Sequence, residues 1–598
     1  STAEETVYDN PDRYTGEYSE VNGAFGGIDD LGRELSLDLG DRSVRADDTA
    51  GSKKRQVGIF YFLWQGEHGT DGPYDNYKIA SEHPEAVKSE AAWLKAGGGK
   101  VGAHHFWGEP LFGYYTSRDM WVMRKHLQML TDAGVDFIVF DATNAYTYSA
   151  RVKQLISVWY GYLEAGVKVP KLAFYTNSSS GKTMTSIYKE IYTDKALNEK
   201  YPRLSELWYM WDGKPMIVGD PNDPALSAEA KAYFRIKASV WPNAARTDDG
   251  FPWMEFGRLL GKDAVYGLGG RREVVNVSIA QHSATCTMSA TAWYGANDRT
   301  RAWHNGANDR SEGAVLQGYN FAEQWEWAIK QDPEMIFLTG WNEWVAQKQP
   351  NSSVLGEKYC HFVDTFNMEF SRDIEMSPEY LDLYYLSLVR NIRAYKGVGE
   401  GNTYRDSETA LSGLMTSYEG WNSSAAYRDF SGETIARKAL DASAAPIENE
   451  TGRNDIAEIR VASDRDTIYF LIRTEEEITP HEAGDTRWMN LLLGVEGAES
   501  GWEGLQYAIN REPGTGKTSL HRINGDSFDK IGECDYTLDG DTIRFAIKKE
   551  MIGIAGGDFA ILFQAADNLQ KDFDIAEYYV NGDVAPIGRI RYVYRVAA

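Results

Sequence analysis

The tetrapeptide Trp341-Asn342-Glu343-Trp344 sets a carboxylate between two indoles and beside an amide. A site of that kind is low in dielectric, which raises a glutamic acid pKa and favours a protonated general acid at neutral pH. The rings of Trp341 and Trp344 could also hold the face of a sugar, with Asn342 bonding its hydroxyls. The plainer alternative makes both rings core and Glu343 an ion-pair partner. Asp141 is the second carboxylate of interest, because it ends the apolar run Phe137-Ile138-Val139-Phe140, where an unpaired charge is costly without a role. Glycoside hydrolysis needs two carboxyl groups across the scissile bond. The expected assignment is therefore Glu343 as general acid/base and Asp141 as nucleophile, base or orienting group; otherwise Asp141 bonds a nearby loop. A carboxyl separation of about 5–5.5 Å would imply retention and about 6.5–9.5 Å inversion.

Around these two acids stands a set of candidate sugar contacts. The stretch from His104 through Tyr115 contains His104, His105, Trp107 and Glu109 among several rings. Adjacent histidines are poorly spaced for one shared metal ion, so hydroxyl contacts are expected of them, and Glu109 is a third candidate carboxylate. Trp64, Asn144, Trp253, Gln281 and His282 complete the set, each following an apolar run. Phe370-Ser371-Arg372-Asp373-Ile374-Glu375 reads as an internal ion-pair network.

Short apolar runs separated by helical stretches must position these residues. Runs at Val57–Leu63, Phe137–Asp141, Lys171–Tyr175, Pro215–Gly219, Ile236–Trp241, Val274–Ile279 and Met335–Thr339 read as buried strands, with an eighth near Phe251–Phe256. Helices are expected at Trp121–Ala133, Ala150–Ala165, Met184–Glu199, Phe321–Gln331 and Ser377–Tyr395. Alternation of this kind gives parallel strands with right-handed crossovers. Seven or eight units over residues 56–397 predict an α/β fold, a (β/α)8 TIM barrel, whose chemistry sits at the carboxyl ends of its strands. A doubly wound open sheet would carry a glycine-rich phosphate turn after its first strand, and Leu63-Trp64-Gln65-Gly66-Glu67 is not one. Residues 1–55 read as an extended leader packing on the barrel, and 398–414 as a linker. Residues 415–598 alternate apolar and polar positions between turns such as Asp539-Gly540-Asp541, the pattern of an antiparallel β-sandwich.

Composition narrows the class. The 598 residues hold 62 Lys plus Arg against 88 Asp plus Glu, a net charge of −26, which argues against a nucleic-acid partner. No run of 18 or more apolar residues predicts a membrane span. Aromatic residues make up 13% of the chain, as suits a protein that stacks rings on pyranoses. Three widely spaced cysteines, Cys286, Cys360 and Cys534, form no CxxC pair, so no zinc ribbon or redox motif is legible. The Ser-Thr-Ala-Glu-Glu start has no hydrophobic segment; with a signal peptide taken as removed, the expected location is secreted, periplasmic or cell-surface.

Gly340-Trp341-Asn342-Glu343-Trp344, together with Gly58–Trp64, His105–Tyr115 and Ala133–Asp141, resembles family-99 and family-71-like glycoside hydrolases and the related WbsX-type proteins. The resemblance covers about residues 56–397. It implies a (β/α)8 barrel acting on glycans, and in family 99 an endo-action on α-mannosides with the Asn-Glu-Trp glutamate catalytic. That position is Glu343. Family 99 implies a second glutamate three residues on, which here is Ala346, so the partner carboxylate comes from elsewhere. Tyr427-Arg428-Asp429, Thr451 to Asp455, Tyr469-Phe470 and Gly582 to Pro586 resemble family-9-like carbohydrate-binding sandwiches. Such modules often hold a structural Ca²⁺, which the Asp-rich turns permit. Trp421, Trp488 and Trp502 either bind sugar there or fill the core.

The expected function is thus hydrolysis of a glycosidic bond in a poly- or oligosaccharide, with no cofactor required. A non-catalytic glycan-binding protein is the alternative from another class. A polysaccharide lyase is a third, recognisable by unsaturated products.

Overall fold

The computed structural model describes residues 25–43, 55–69, 71–241, 244–255, 257–281, 299–350, 360–362, 367–399 and 401–598. Eight strands form the first part: β1 (Gln56–Tyr61), β2 (Phe137–Ala142), β3 (Lys171–Thr176), β4 (Lys214–Gly219), β5 (Arg235–Val240), β6 (Gly250–Pro252), β7 (Val274–Ser278) and β8 (Met335–Thr339). All pair in parallel, in the order β6-β5-β4-β3-β2-β1-β8-β7. Covered on both faces, most of these strands are near-continuous apolar runs; β5, Arg-Ile-Lys-Ala-Ser-Val, is the polar exception. The ladder does not join β6 to β7. A side chain spans that gap: Asn276 Nδ2 on β7 donates to the Trp253 carbonyl just past β6 and to the Phe337 carbonyl on β8, 3.1 Å each. The result is a (β/α)8 barrel with one seam closed by an amide.

Helices cover most of the outside. α1 (Met120–Ala133) is capped by the Asp119 carboxylate, which accepts from Val122 N–H, and ends at Gly134 in the left-handed conformation. α2 (Ser149–Glu164), α3 (Tyr319–Gln331) and α4 (Leu383–Lys396) are the other long ones. Two expected helices differ. Met184–Glu199 is broken into Ser180–Ile187, a wide turn at Tyr188–Tyr192 and Lys195–Lys200, because Asp194 caps a new start on Leu197 N–H. The last helix begins at Leu383 rather than Ser377, since Leu381 takes a positive φ of 44° that no helix continues through.

From Ala425 to Val596 the chain forms an antiparallel sheet of eleven strands, curled around its own apolar core. Trp488 belongs to that interior, Trp421 is buried in a separate small cluster with Leu414, Met415, Tyr469 and Leu471, and Trp502 is half-buried against Phe573 and Tyr578. The two parts meet through buried charges. Arg437 Nε donates to Asp119, the α1 cap, at 2.8 Å. Arg589 grips Asp382 at the start of α4 with two bonds of 3.0 and 2.8 Å, and the Tyr579 hydroxyl adds a third at 2.7 Å. The described leader residues 25–43 lie across this junction: Gly26 exchanges backbone bonds with Arg591, and Asp29 accepts from Arg390 of α4. Among the described residues no helix is long and apolar enough to cross a membrane.

Candidate active site

At the carboxyl end of β8 the chain stays fastened to β1 after the backbone ladder has ended. Trp341 N–H donates to the Phe60 carbonyl at 2.9 Å. The Asn342 side chain then stands in for a strand residue: its Oδ1 accepts from Phe62 N–H at 2.8 Å and its Nδ2 donates to the Phe62 carbonyl at 3.1 Å. Glu343 follows, and its backbone N–H is held by the Asp373 carboxylate. Its own carboxylate accepts from Arg372 Nη2 at 2.7 Å. The Arg372 guanidinium lies 4.9 Å from the centre of the Trp253 ring, just beyond β6, and Trp253 stacks on half-buried Trp241, just beyond β5, at 4.7 Å and 9°. Ends of β5, β6 and β8 thus supply a carboxylate, a guanidinium and a slab of two indoles.

Residues after β1 and β2, with His104 from the segment between them, form a second group. Trp64, past β1, meets His104 edge-on at 6.0 Å; His104 stacks on His68 at 4.8 Å; and His68 Nε2 bonds the Tyr148 hydroxyl at 2.7 Å. Asp141 closes β2 with Oδ1 accepting from Thr143 N–H at 2.9 Å. Its charge, after burial, pushes the Tyr148 hydroxyl up. Burial and then the charge of His68 bring His104 down to about 4, which keeps it neutral. Trp64 Nε1 and His104 Nδ1 are buried without a hydrogen-bond partner. Tyr146 beside them is 56% exposed, and Asn144 is exposed. These are polar and aromatic surfaces suited to hydroxyl-rich ligands.

Several expected sugar contacts are instead part of the floor. Trp341 and Trp344 are fully buried: Trp341 meets His126 edge-on, and Trp344 stacks on Trp107 at 4.5 Å. They do not sandwich Glu343, whose carboxylate meets a guanidinium. Trp344 Nε1 donates to Glu375 at 3.0 Å, and Trp107 Nε1 to Asp373 at 2.6 Å. Asn342 is wholly occupied with Phe62 and the Tyr115 hydroxyl. Residues His104–Phe106 pair antiparallel with Val345–Gln349, with His105 opposite Ala346. Strand alternation then sends His104 and His105 to opposite faces. His105 enters a satellite core with Trp93 and Phe362, its Nε2 accepting from Gly99 N–H at 2.9 Å, and burial brings it down to about 3. Ala346 lies in that core too. Gln281 is buried, and its Oε1 accepts from Asn320. Glu109 pairs with Lys78 at the surface, 3.2 Å apart. Trp253 offers its face to Arg372 and Trp241. His282 lies outside the described residues.

Arg372, Asp373, Trp241, His68 and Tyr148 were not among the expected site residues. The Phe370–Glu375 charges signalled an internal network, and it exists: Glu375 accepts from His126, Tyr115 and Trp344. Nothing in the local sequence indicates that its Arg372 reaches Glu343, 29 residues back. Burial pushes Asp373 up to about 7, although Trp107 and the Glu343 N–H pull the other way. Among the described residues, the carboxylates grouped tightly enough for a metal ion lie away from the mouth, at Asp429, Glu433 and Asp583.

No family model and no curated protein matches the sequence. Among solved structures, two of the family-99 endo-α-mannosidase of Bacteroides thetaiotaomicron share 14% identity. They cover 57% and 58% of this chain and 98% of their own, with TM-scores of 0.31 and 0.32. An endo-β-1,4-mannanase from Thermotoga petrophila is 9% identical over 81% of this chain and 95% of its own, with a TM-score of 0.16.

Proposed function

We propose that the chain is a glycoside hydrolase acting on a poly- or oligosaccharide at the carboxyl-terminal mouth of the barrel. The observation that carries this reading is the placement of Glu343. Its carboxylate stands at the end of β8, in register with Arg372, Trp253 and Trp241. Barrel chemistry resides at that end. Glu343 serves as the acid/base carboxylate, and Arg372 is its positioning residue, fixing one oxygen by a charge-assisted bond. Asp141, at the end of β2 and two staves away, is the partner carboxylate. Trp64, Trp241, His104 and Tyr146 provide the ring faces and polar edges that hold sugar units. The resemblance of Gly340–Trp344 to the glycosidase strand end supports the same assignment. The sandwich is proposed to act as a carbohydrate-binding module, and the enzyme to work outside the cytoplasm on glycans.

The test is digestion of a glycan panel by the wild type and by Glu343→Gln, with products read by mass. Loss of a general acid/base contributes about 10²–10⁴-fold in rate. Release of shortened glycans by the wild type, and a loss of that size in the variant, is the expected result. Undiminished turnover by Glu343→Gln rejects the assignment. Tight glycan binding with no released reducing ends favours the non-catalytic reading.

A further inference from the structure

At the amino ends of the strands, opposite the mouth, a cavity of about 860 Å³ opens between the barrel and the sandwich. Lys171, which opens β3, lines it from the barrel, and Phe430 and Tyr592 line it from the sandwich. Thr131 and Asp132 reach it from the last turn of α1, and Arg393 from the last turn of α4. Pockets for small molecules run from about 300 to 1,000 Å³. The reaction proposed for the mouth makes no use of this one.

The charges on its wall do not balance. Lys396 pairs with Asp136 at 2.8 Å, and Arg428 with Glu458 at 2.7 Å. Arg393 has no such partner. It is 6% exposed, yet among the described residues its guanidinium makes no ion pair, and Nη1 donates to the Ser36 carbonyl at 3.3 Å. A cation in the last turn of α4 suits the helix dipole, but Lys396 fills that role already, and the dipole does not offset the burial of an unpaired guanidinium. Burial lowers Arg393 to about 10, so it is still charged at neutral pH. Lys171 adds a second cation, whose Nζ donates to the Glu206 carbonyl rather than to a carboxylate.

The acids on the same wall do not neutralise these two. Asp136 is engaged by Lys396 and by Val57 N–H. Asp132 makes no hydrogen bond or ion pair among the described residues, and burial pushes its carboxyl up to about 8. Asp429 turns to its own cluster with Glu433 and Asp583, where burial and the charge of Asp583 push it well up. Thr131 Oγ1, beside Asp132, is buried without a hydrogen-bond partner.

We propose that this cavity binds a sugar carrying a phosphate or sulfate ester, with the ester on Arg393 and the ring hydroxyls on Asp132 and Thr131. The planar guanidinium fork matches a tetrahedral oxyanion. A neutral carboxyl and a hydroxyl both donate and accept, as sugar hydroxyls require. Trp208, Phe430 and Tyr592 supply aromatic walls for the apolar side of the ring. The bound ester joins α4 of the barrel to the sandwich, and it does so independently of the chemistry at the mouth.

The full chain is titrated calorimetrically in phosphate-free buffer with glucose 6-phosphate, glucose 6-sulfate, inorganic phosphate and glucose, and is melted with each. One ester per chain is expected, with a Tm that climbs logarithmically in its concentration; the stronger of the two esters identifies the oxyanion. Inorganic phosphate and glucose each make part of the contacts and should bind at least about tenfold more weakly. Arg393→Met should lower ester affinity by about 10- to 100-fold, yet leave the unliganded protein as stable as the wild type or more so, since it removes a buried unpaired charge. Asp132→Ala gives a separate reading: weaker binding of the esters, with inorganic phosphate unaffected. Trp241→Ala, altered at the mouth, should bind the esters as the wild type does. No heat and no Tm shift with either ester at millimolar concentration, equal binding of inorganic phosphate, wild-type affinity in Arg393→Met, or loss of binding in Trp241→Ala overturns the proposal.

Discussion

Replacing Arg372 by Met separates what this residue does for the fold from what it does for the site. Arg372 and Glu343 are 1% and 2% exposed and joined at 2.7 Å. Removing the guanidinium leaves the glutamate buried and without that cation, a change that costs about 3–5 kcal/mol. Loss of the contact with Trp253 adds about 0.5–2 kcal/mol. The methionine recovers part of that second figure by packing on the indole, so about 3–6 kcal/mol is expected. The double variant Arg372→Met/Glu343→Gln removes both charges and should regain all but about 1–2 kcal/mol, because replacing an entire buried pair is far milder than orphaning one member. Urea unfolding followed by tryptophan emission on the full chain measures each corner of the cycle. Activity follows a different order. Arg372→Met and the double variant are both inactive, whereas Arg372→Lys restores stability better than rate, since ammonium keeps the charge and loses the planar fork. A double variant destabilised by the sum of the two single variants, Arg372→Met and Glu343→Gln, would show that the two side chains are not energetically coupled, and the positioning role of Arg372 would fall with it.

Further outcomes follow from the same contacts. Trp241→Ala, at the half-buried end of the indole slab, should raise KM while leaving the melting curve nearly unchanged; Trp344→Ala, stacked on Trp107 inside the core, should cost about 3–5 kcal/mol of stability. Kinetics beside thermal melts tells the two apart. Asp373 is pushed up to about 7 in the fold, so its contribution to stability is full below its ordinary value near 3.8 and declines as pH rises to about 7; Asp373→Asn should flatten that decline in Tm measured across pH. His105 is brought down to about 3, so the fold keeps it neutral while the unfolded chain takes up a proton. Its contribution is full above about 6.5 and falls away as pH drops towards 3, and His105→Gln should reduce the acid slope of Tm over that window.

The barrel was legible because its strands lie between helices and the packed interior, so runs such as Met335–Thr339 are apolar without alternation. Even the three-residue β6 is flanked by enough apolar residues to show itself near Phe251. Helix limits were less legible. Asp194 and Leu381 reset the backbone by a cap and by a positive φ, and neither effect leaves a periodic trace. In the site, Glu343 and Asp141 stand out as charges ending apolar runs. The roles of their neighbours did not follow, since adjacency along a chain says little about direction. Trp341 and Trp344 turn down into the core, while Arg372 arrives from a later loop. Likewise His104 and His105, one residue apart, part company because a short antiparallel pairing places them on opposite faces.

The junction between barrel and sandwich has a consequence for how the polypeptide can be divided. Asp119 and Asp382 lie on barrel helices, but the arginines that neutralise them, Arg437 and Arg589, come from beyond residue 400. A barrel expressed alone would expose two orphaned acids at the starts of α1 and α4, together with the apolar surface around them. Truncation at the apparent linker should therefore yield aggregated or swollen protein, and mixing the separately produced halves should restore solubility. Evolutionary exchange of this sandwich for another would have to bring matching guanidinium groups with it.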